Sequence, residues 1–84
     1  MSYAAGGPVF NWEAVTTDDS DYLRTAANPC QYLRVGGAGN VVVTQYGGND
    51  VTFNGVLAGE YIPVKAIRVK TTGTSATNIL AAFK

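Results

Sequence analysis

The chain has 84 residues, six Lys plus Arg against six Asp plus Glu, no histidine and one cysteine. That length allows one domain, and without histidine the chain cannot build a Ser-His-Asp or Cys-His catalytic arrangement or a His/Cys zinc site, nor can Cys30 alone make an internal disulfide. A formal charge of zero with only 14% charged residues excludes a strongly basic nucleic-acid footprint.

Residues 1–12, MSYAAGGPVFNW, read as an extended N-terminal arm, because Gly6-Gly7-Pro8 breaks regular structure. Tyr3, Phe10 and Trp12 are costly to leave in water, so the arm is expected to dock on its own core or on an adjacent subunit. Residues 13–84 then form a single β domain. Glu13 to Thr17 suits a first short strand. Asp18-Asp19-Ser20-Asp21 suits a polar turn with side-chain bonds to backbone NH groups. Three aspartates in four residues also raise a calcium loop, but the central glycine and distal glutamate of that pattern are missing. Tyr22 to Ala27 is the one stretch with any helical character, a turn or two at most.

From Cys30 onward the chain alternates apolar and polar residues between glycine- and asparagine-rich breaks, the rhythm of strands and hairpin turns. Cys30 to Val35 puts Leu33 and Val35 inward, with Tyr32 and Arg34 outward. The β-branched run Val41-Val42-Val43-Thr44 suits a strand covered on both faces or a subunit contact. Asn40–Tyr46 and Val51–Asn54, around Gly47-Gly48-Asn49-Asp50, make the clearest hairpin.

Between Tyr61 and Lys70 the parity reverses: Ile62 and Val64 are even, Ile67 and Val69 odd. One strand cannot bury all four. Either a β-bulge near Lys65-Ala66 restores the pattern, or the strand crosses there from one sheet to another. Pro63 favours an edge or a strand start. After the polar turn TTGTSAT, Asn78 to Phe83 is apolar on both faces, which suits an internal strand or an intersubunit surface.

The expected architecture is all-β, a small antiparallel sandwich or barrel of about six or seven short strands. Its expected core is Val15, Leu23, Leu33, Val35, Val41, Val43, Val51, Phe53, Ile62, Val64, Ile67, Val69, Ile79 and Phe83. A chain of this size buries only about 60–65% of its unfolded surface and is marginal alone. With disulfide and zinc unavailable, self-association is the remaining aid, set against a monomeric core that suffices by itself.

Charge is divided along the chain. Glu13, Asp18, Asp19 and Asp21 precede any basic residue, whereas Lys65, Arg68, Lys70 and Lys84 crowd the last third. These are either solvated faces or acidic and basic edges that meet between copies. No leader-like apolar core and no run near ~20 apolar residues is present, so a soluble product of a reducing compartment is expected, with Cys30 a small buried or half-buried hydrophobe.

No spacing of carboxylates selects an acid–base pair, GGAGN is no phosphate loop, and no enzyme activity, metal or cofactor is expected. Outward Tyr32, Tyr46 and Tyr61 beside Arg34, Lys65, Arg68 and Lys70 leave one ligand-binding alternative, an autonomous β domain for carbohydrate or single-stranded nucleic acid.

Taken in order, AVTTDDSDYL, CQYLRVGGAGNVVV, VTFNGVLAGEYIPVKAIRV and TTGTSATNIL resemble the small head-spike base family of tailed phages and gene transfer agents. IPVKAIRVKTTGTSAT is the most specific stretch, and the resemblance covers about residues 14–83. Phe10 and Trp12 make the arm more aromatic than that family's pattern. The resemblance implies a virion structural protein, made in the host cytoplasm and carried on the capsid exterior as a spike base or head decoration. Its implied partners are itself, as a pentamer or trimer, the major capsid protein and a spike or fibre protein, with no membrane and no nucleic acid. The candidate contact surfaces are the arm (Tyr3, Phe10, Trp12), the acidic turn (Asp18, Asp19, Asp21) and the basic stripe (Lys65, Arg68, Lys70).

Overall fold

The computed structural model describes residues 10–84; of the arm, Tyr3 lies outside them. Seven strands form two antiparallel sheets: β1 (Asn11–Ala14), β2 (Tyr32–Gly37), β3 (Gly39–Gln45), β4 (Asp50–Val56), β5 (Tyr61–Ile62), β6 (Ala66–Val69) and β7 (Thr77–Phe83). The first sheet runs β1-β7-β2-β5 and the second β4-β3-β6. The all-β sandwich expected from the alternation is the fold observed. Residues 22–27 hold bends and a turn, not a helix.

The inner faces meet in one apolar cluster. Leu33 and Val35 of β2, and Ile79, Ala81 and Phe83 of β7, face Val41 and Val43 of β3 and Val69 of β6. Cys30, Val64 and Ala76 enter from connections. Four residues expected in the core are corrected to its margin: Val15, Leu23, Val51 and Phe53 pack against the cluster but stay partly exposed. Val51 and Phe53 lie on β4, an edge strand, so nothing covers their outer flank among the described residues. Alternation reports which face a side chain takes, not how near the sheet's edge it sits.

The first strand differs in extent from the expected Glu13–Thr17. Asn11 and Trp12, read as arm, pair with Phe83 and Ala82. The ladder runs one bond further, from the Val15 NH to the Ile79 carbonyl. The chain then leaves the first sheet and lies along β6, where Asp18 NH donates to Val69 O, Leu23 NH to Ile67 O and Cys30 NH to Ala66 O. This segment satisfies the edge of β6 and closes one side of the sandwich.

The parity reversal is a corner. Ile62 pairs with Leu33 in the first sheet, whereas Arg68 and Val69 pair with Thr44 and Val43 in the second. Pro63 to Lys65 make the crossing, where Pro63 has no ladder partner to forfeit. A bulge occurs there as well: Thr44 pairs with Arg68 but Gln45 with Ala66, so Ile67 is an extra residue of β6. The other corner, β2 to β3, turns on Ala38 alone and is tightly packed. A Cβ on Gly39 would sit 2.5 Å from the Ala76 nitrogen, and one on Gly37 would sit 2.0 Å from Thr77 Oγ1. β7, apolar on both faces, lies inside its sheet between β1 and β2.

Candidate assembly surface

The two outer faces of the sandwich differ in chemistry. Antiparallel pairing places Trp12, Ala82 and Tyr32 in one row of the first sheet, and Ala14, Leu80, Arg34 and Tyr61 in the next. Their neighbours Leu33, Ala81 and Ile62 point into the core, so these two rows face outward. The outward side of this sheet is therefore aromatic and aliphatic where a solvated sheet is usually polar. Phe10 meets Tyr32 edge-on with centroids 5.2 Å apart, and Trp12 meets Tyr61 edge-on at 6.0 Å. The Arg34 guanidinium lies 5.9 Å from the Tyr61 ring centre. Ala82 is fully buried although it points away from the core.

The outer face of the second sheet is polar and internally wired. Thr44, buried on this face, donates from Oγ1 to Asp50 Oδ1 (2.7 Å) and accepts from Arg68 Nη1 (3.1 Å). Arg68 also donates from Nε and Nη2 to the Ser20 carbonyl, at 3.2 and 3.0 Å, and its guanidinium lies 4.9 Å from the Tyr22 ring centre. Lys70 Nζ pairs with Asp50 Oδ2 at 3.1 Å. The Thr44 hydroxyl, then the Lys70 ammonium, hold the Asp50 carboxyl below the usual carboxylate range.

The acidic turn is tied to this face. Asp18 Oδ1 accepts from the NH groups of Ser20 (2.7 Å) and Asp21 (2.9 Å), the capped turn expected from DDSD. These two bonds, that from Asp21 first, pull its pKa down. Asp19 accepts from the hydroxyl and the NH of Thr72, which lower its pKa in that order. TTGTSAT supplies further anchors: Thr74 Oγ1 accepts from Val42 NH and Ser75 Oγ from Asn40 NH, both at 2.9 Å. This turn, the end of the most specific stretch IPVKAIRVKTTGTSAT, thus laces the start of β3 to the loop before β7.

Acidic turn and basic stripe are accordingly brought together within one copy at Arg68, which grips the turn's Ser20. Lys65 is exposed just before β6, with its carbonyl taken by Tyr46 NH. Asp21 is exposed and, among the described residues, has no side-chain partner. It lines a groove on the closed side of the sandwich with Ala14, Val15, Tyr22 and Leu23. At the rim of that groove Glu13 is paired with Arg24, whose guanidinium lies 3.9 Å over the Phe83 ring. Arg24 bonds the Glu13 carboxylate and holds its pKa below the usual range.

The arrangement divides the groups that a nucleic-acid reading would combine. Tyr32, Tyr61 and Arg34 are on the outside of the first sheet, Arg68 and Lys70 on the outside of the second, with the core between them, and exposed Tyr46 lies beside Lys65 at the end of β3. A single strand tracking Tyr32 and Tyr61 would be separated from Arg68 and Lys70 by the thickness of the sandwich. Cys30 is buried, and burial pushes its thiol up, which suits a packing residue and not a nucleophile. Sequence reasoning missed the aromatic face as a unit. Its signal was present in Tyr32, Tyr61 and Leu80 as outward positions, but only pairing across four strands assembles them with Trp12.

No protein-family model and no curated protein matches the chain. Among solved structures, a chain of "Capsid of native GTA particle computed with C5 symmetry" is similar to it at 33% identity and a TM-score of 0.75. The match covers 96% of this chain and 90% of that one.

Proposed function

We propose that this chain, which belongs to the same family as that component of a gene transfer agent (GTA) capsid, is a virion structural protein of a phage or gene transfer agent. It acts by protein–protein contact, as a spike base or head decoration on the capsid exterior. Its partners are the major capsid protein, further copies of itself and a spike or fibre protein, and it catalyses no reaction. The observation that carries this reading is the near full-length match, at 33% identity, to a chain within a capsid. Three features of the molecule agree with it. The described residues present an aromatic outer face, the hydroxyls and carboxylates of the opposite face are engaged with one another, and the one thiol is buried.

The test is to purify particles and ask where the chain is. Copurification at a fixed stoichiometry, and density for the sandwich on the outside of the shell in an image reconstruction, are the expected results. Its absence from intact particles, or a lumenal position, would overturn the reading. Removal of the gene is expected to leave shells that assemble but lack the outward feature.

A further inference from the structure

The first sheet's outer face has the composition of an interface centre. Trp12, Tyr32 and Tyr61 are 42%, 37% and 56% exposed, and Arg34 stands among them. Trp, Tyr and Arg are the residues most enriched at the energetic centres of protein interfaces. Among the described residues the Arg34 guanidinium has no carboxylate partner, in contrast to Arg24. A surface that covers this face must therefore be apolar with an acid set into it.

The chain carries such a surface on its own closed side. Every other described acid is engaged: Glu13 with Arg24, Asp18 with its turn NH groups, Asp19 with Thr72, Asp50 with Thr44 and Lys70, Glu60 with Leu57 NH. Asp21 alone is left, at a groove where Ala14, Val15 and Leu23 are interspersed with Glu13, Thr16 and Asp18, so the groove is acidic as well as apolar. The face and the groove adjoin at Ala14 of β1, yet Arg34 and Asp21 form no ion pair within one copy.

We infer that the aromatic face of one copy is covered by the Asp21 groove of a second copy, with Arg34 reaching Asp21 across the contact. The contact is head-to-tail. Each copy offers both halves, so repetition generates a ring if the rotation closes and a filament if it does not. This rests on the structural role proposed above, but it concerns the isolated protein, so its failure leaves the chain's place in the particle untouched.

The test is solution mass by light scattering on the purified full chain, with circular dichroism to verify folding. The wild type is expected to form a discrete oligomer. Arg34→Glu and Asp21→Arg are each expected to weaken self-association about 100-fold or more while remaining folded. The double reversal is expected to recover most of the loss, since it restores an opposite-charge pair. Trp12 gives an independent readout: its emission should shift to the blue as concentration rises through assembly. Oligomer mass unchanged in both single variants, or no recovery in the double variant, overturns the contact. A wild type that stays monomeric also overturns it and assigns the face to the chain's own first residues or to another particle protein.

Discussion

Arg68 uses all three guanidinium nitrogens on the Ser20 carbonyl and the Thr44 hydroxyl, and so joins β6, β3 and the turn that seals the edge of β6. Removing it leaves a buried hydroxyl with one partner fewer and loosens the turn. Arg68→Ala is expected to cost about 1–2 kcal/mol in urea unfolding. Arg68→Lys should recover little of it, because an ammonium cannot make the three-pronged contact. The carboxylates around this hub set the acid response. Asp18, Asp19 and Asp50 all have pKa values lowered by folding. A lowered native pKa means that the unfolded chain binds the proton more readily. The stabilisation is therefore present above the ordinary carboxylate pKa of about 4 and is lost as pH falls through the lower native values. The melting temperature is expected to be level above about pH 5 and to fall below it. Asp19→Asn should lower the plateau and shrink the fall. An equal fall in wild type and variant would show that the Thr72 contact does not contribute.

Among apolar residues the structure separates two phenylalanines that were both expected in the core. Phe53 is at its margin, whereas Phe83 is fully enclosed as expected. Phe83→Ala is expected to cost about 3–5 kcal/mol and Phe53→Ala about 1–2 kcal/mol. Comparable denaturation midpoints for the two variants would reverse that ranking.

At the scale of the element, period-two alternation made most strands legible. Leu33 and Val35 point inward and Tyr32 and Arg34 outward, as read, and the β3–β4 hairpin falls where the glycines announce it. Gly47 and Gly48 there have φ of 111° and 104°, a backbone that side-chain-bearing residues rarely adopt. The reversal at Lys65-Ala66 was legible as either a bulge or a sheet change, and the structure has both, a corner after Ile62 and an extra residue at Ile67. A bulge and a sheet change both flip parity, and only the partner strand tells them apart. Glycines at the β2–β3 corner were read as turn formers, yet Gly39 is needed for close approach as well. Its missing Cβ makes room for the Ala76 backbone, and its φ is +156°. Gly39→Ala is expected to destabilise by about 2–4 kcal/mol, more than an alanine at Gly47, where no atom lies within 4 Å. A melting-temperature loss no larger at Gly39 than at Gly47 would remove this account.

For the molecule as a whole, the difficulty is size. The core is one cluster of small aliphatic residues with a single phenylalanine fully inside it, and no disulfide supports it. Such a domain gains from any partner that binds only the folded state. The melting temperature is expected to rise with protein concentration, and Trp12→Ala to abolish that rise while leaving the circular dichroism spectrum folded. Trp12 is paired through its backbone in β1 and exposed in its ring, so its side chain is not required for the sheet. Loss of the folded spectrum instead would assign the ring to the stability of the single copy.

The residue pattern alone determined that this chain is a small all-β domain without histidine-based or disulfide chemistry, because alternation, turn residues and composition are local or additive properties. It determined also that four acids precede any basic residue while four of the six bases fall in the last third of the chain. Only the folded arrangement decided that Asp19 meets Thr72, that Ser20 meets Arg68, and that Trp12, Tyr32 and Tyr61 share one face. Those neighbours come from strand order, β1-β7-β2-β5, which joins segments dozens of residues apart. Strand order depends on the free energy of the whole assembled core, and no single stretch of sequence carries it.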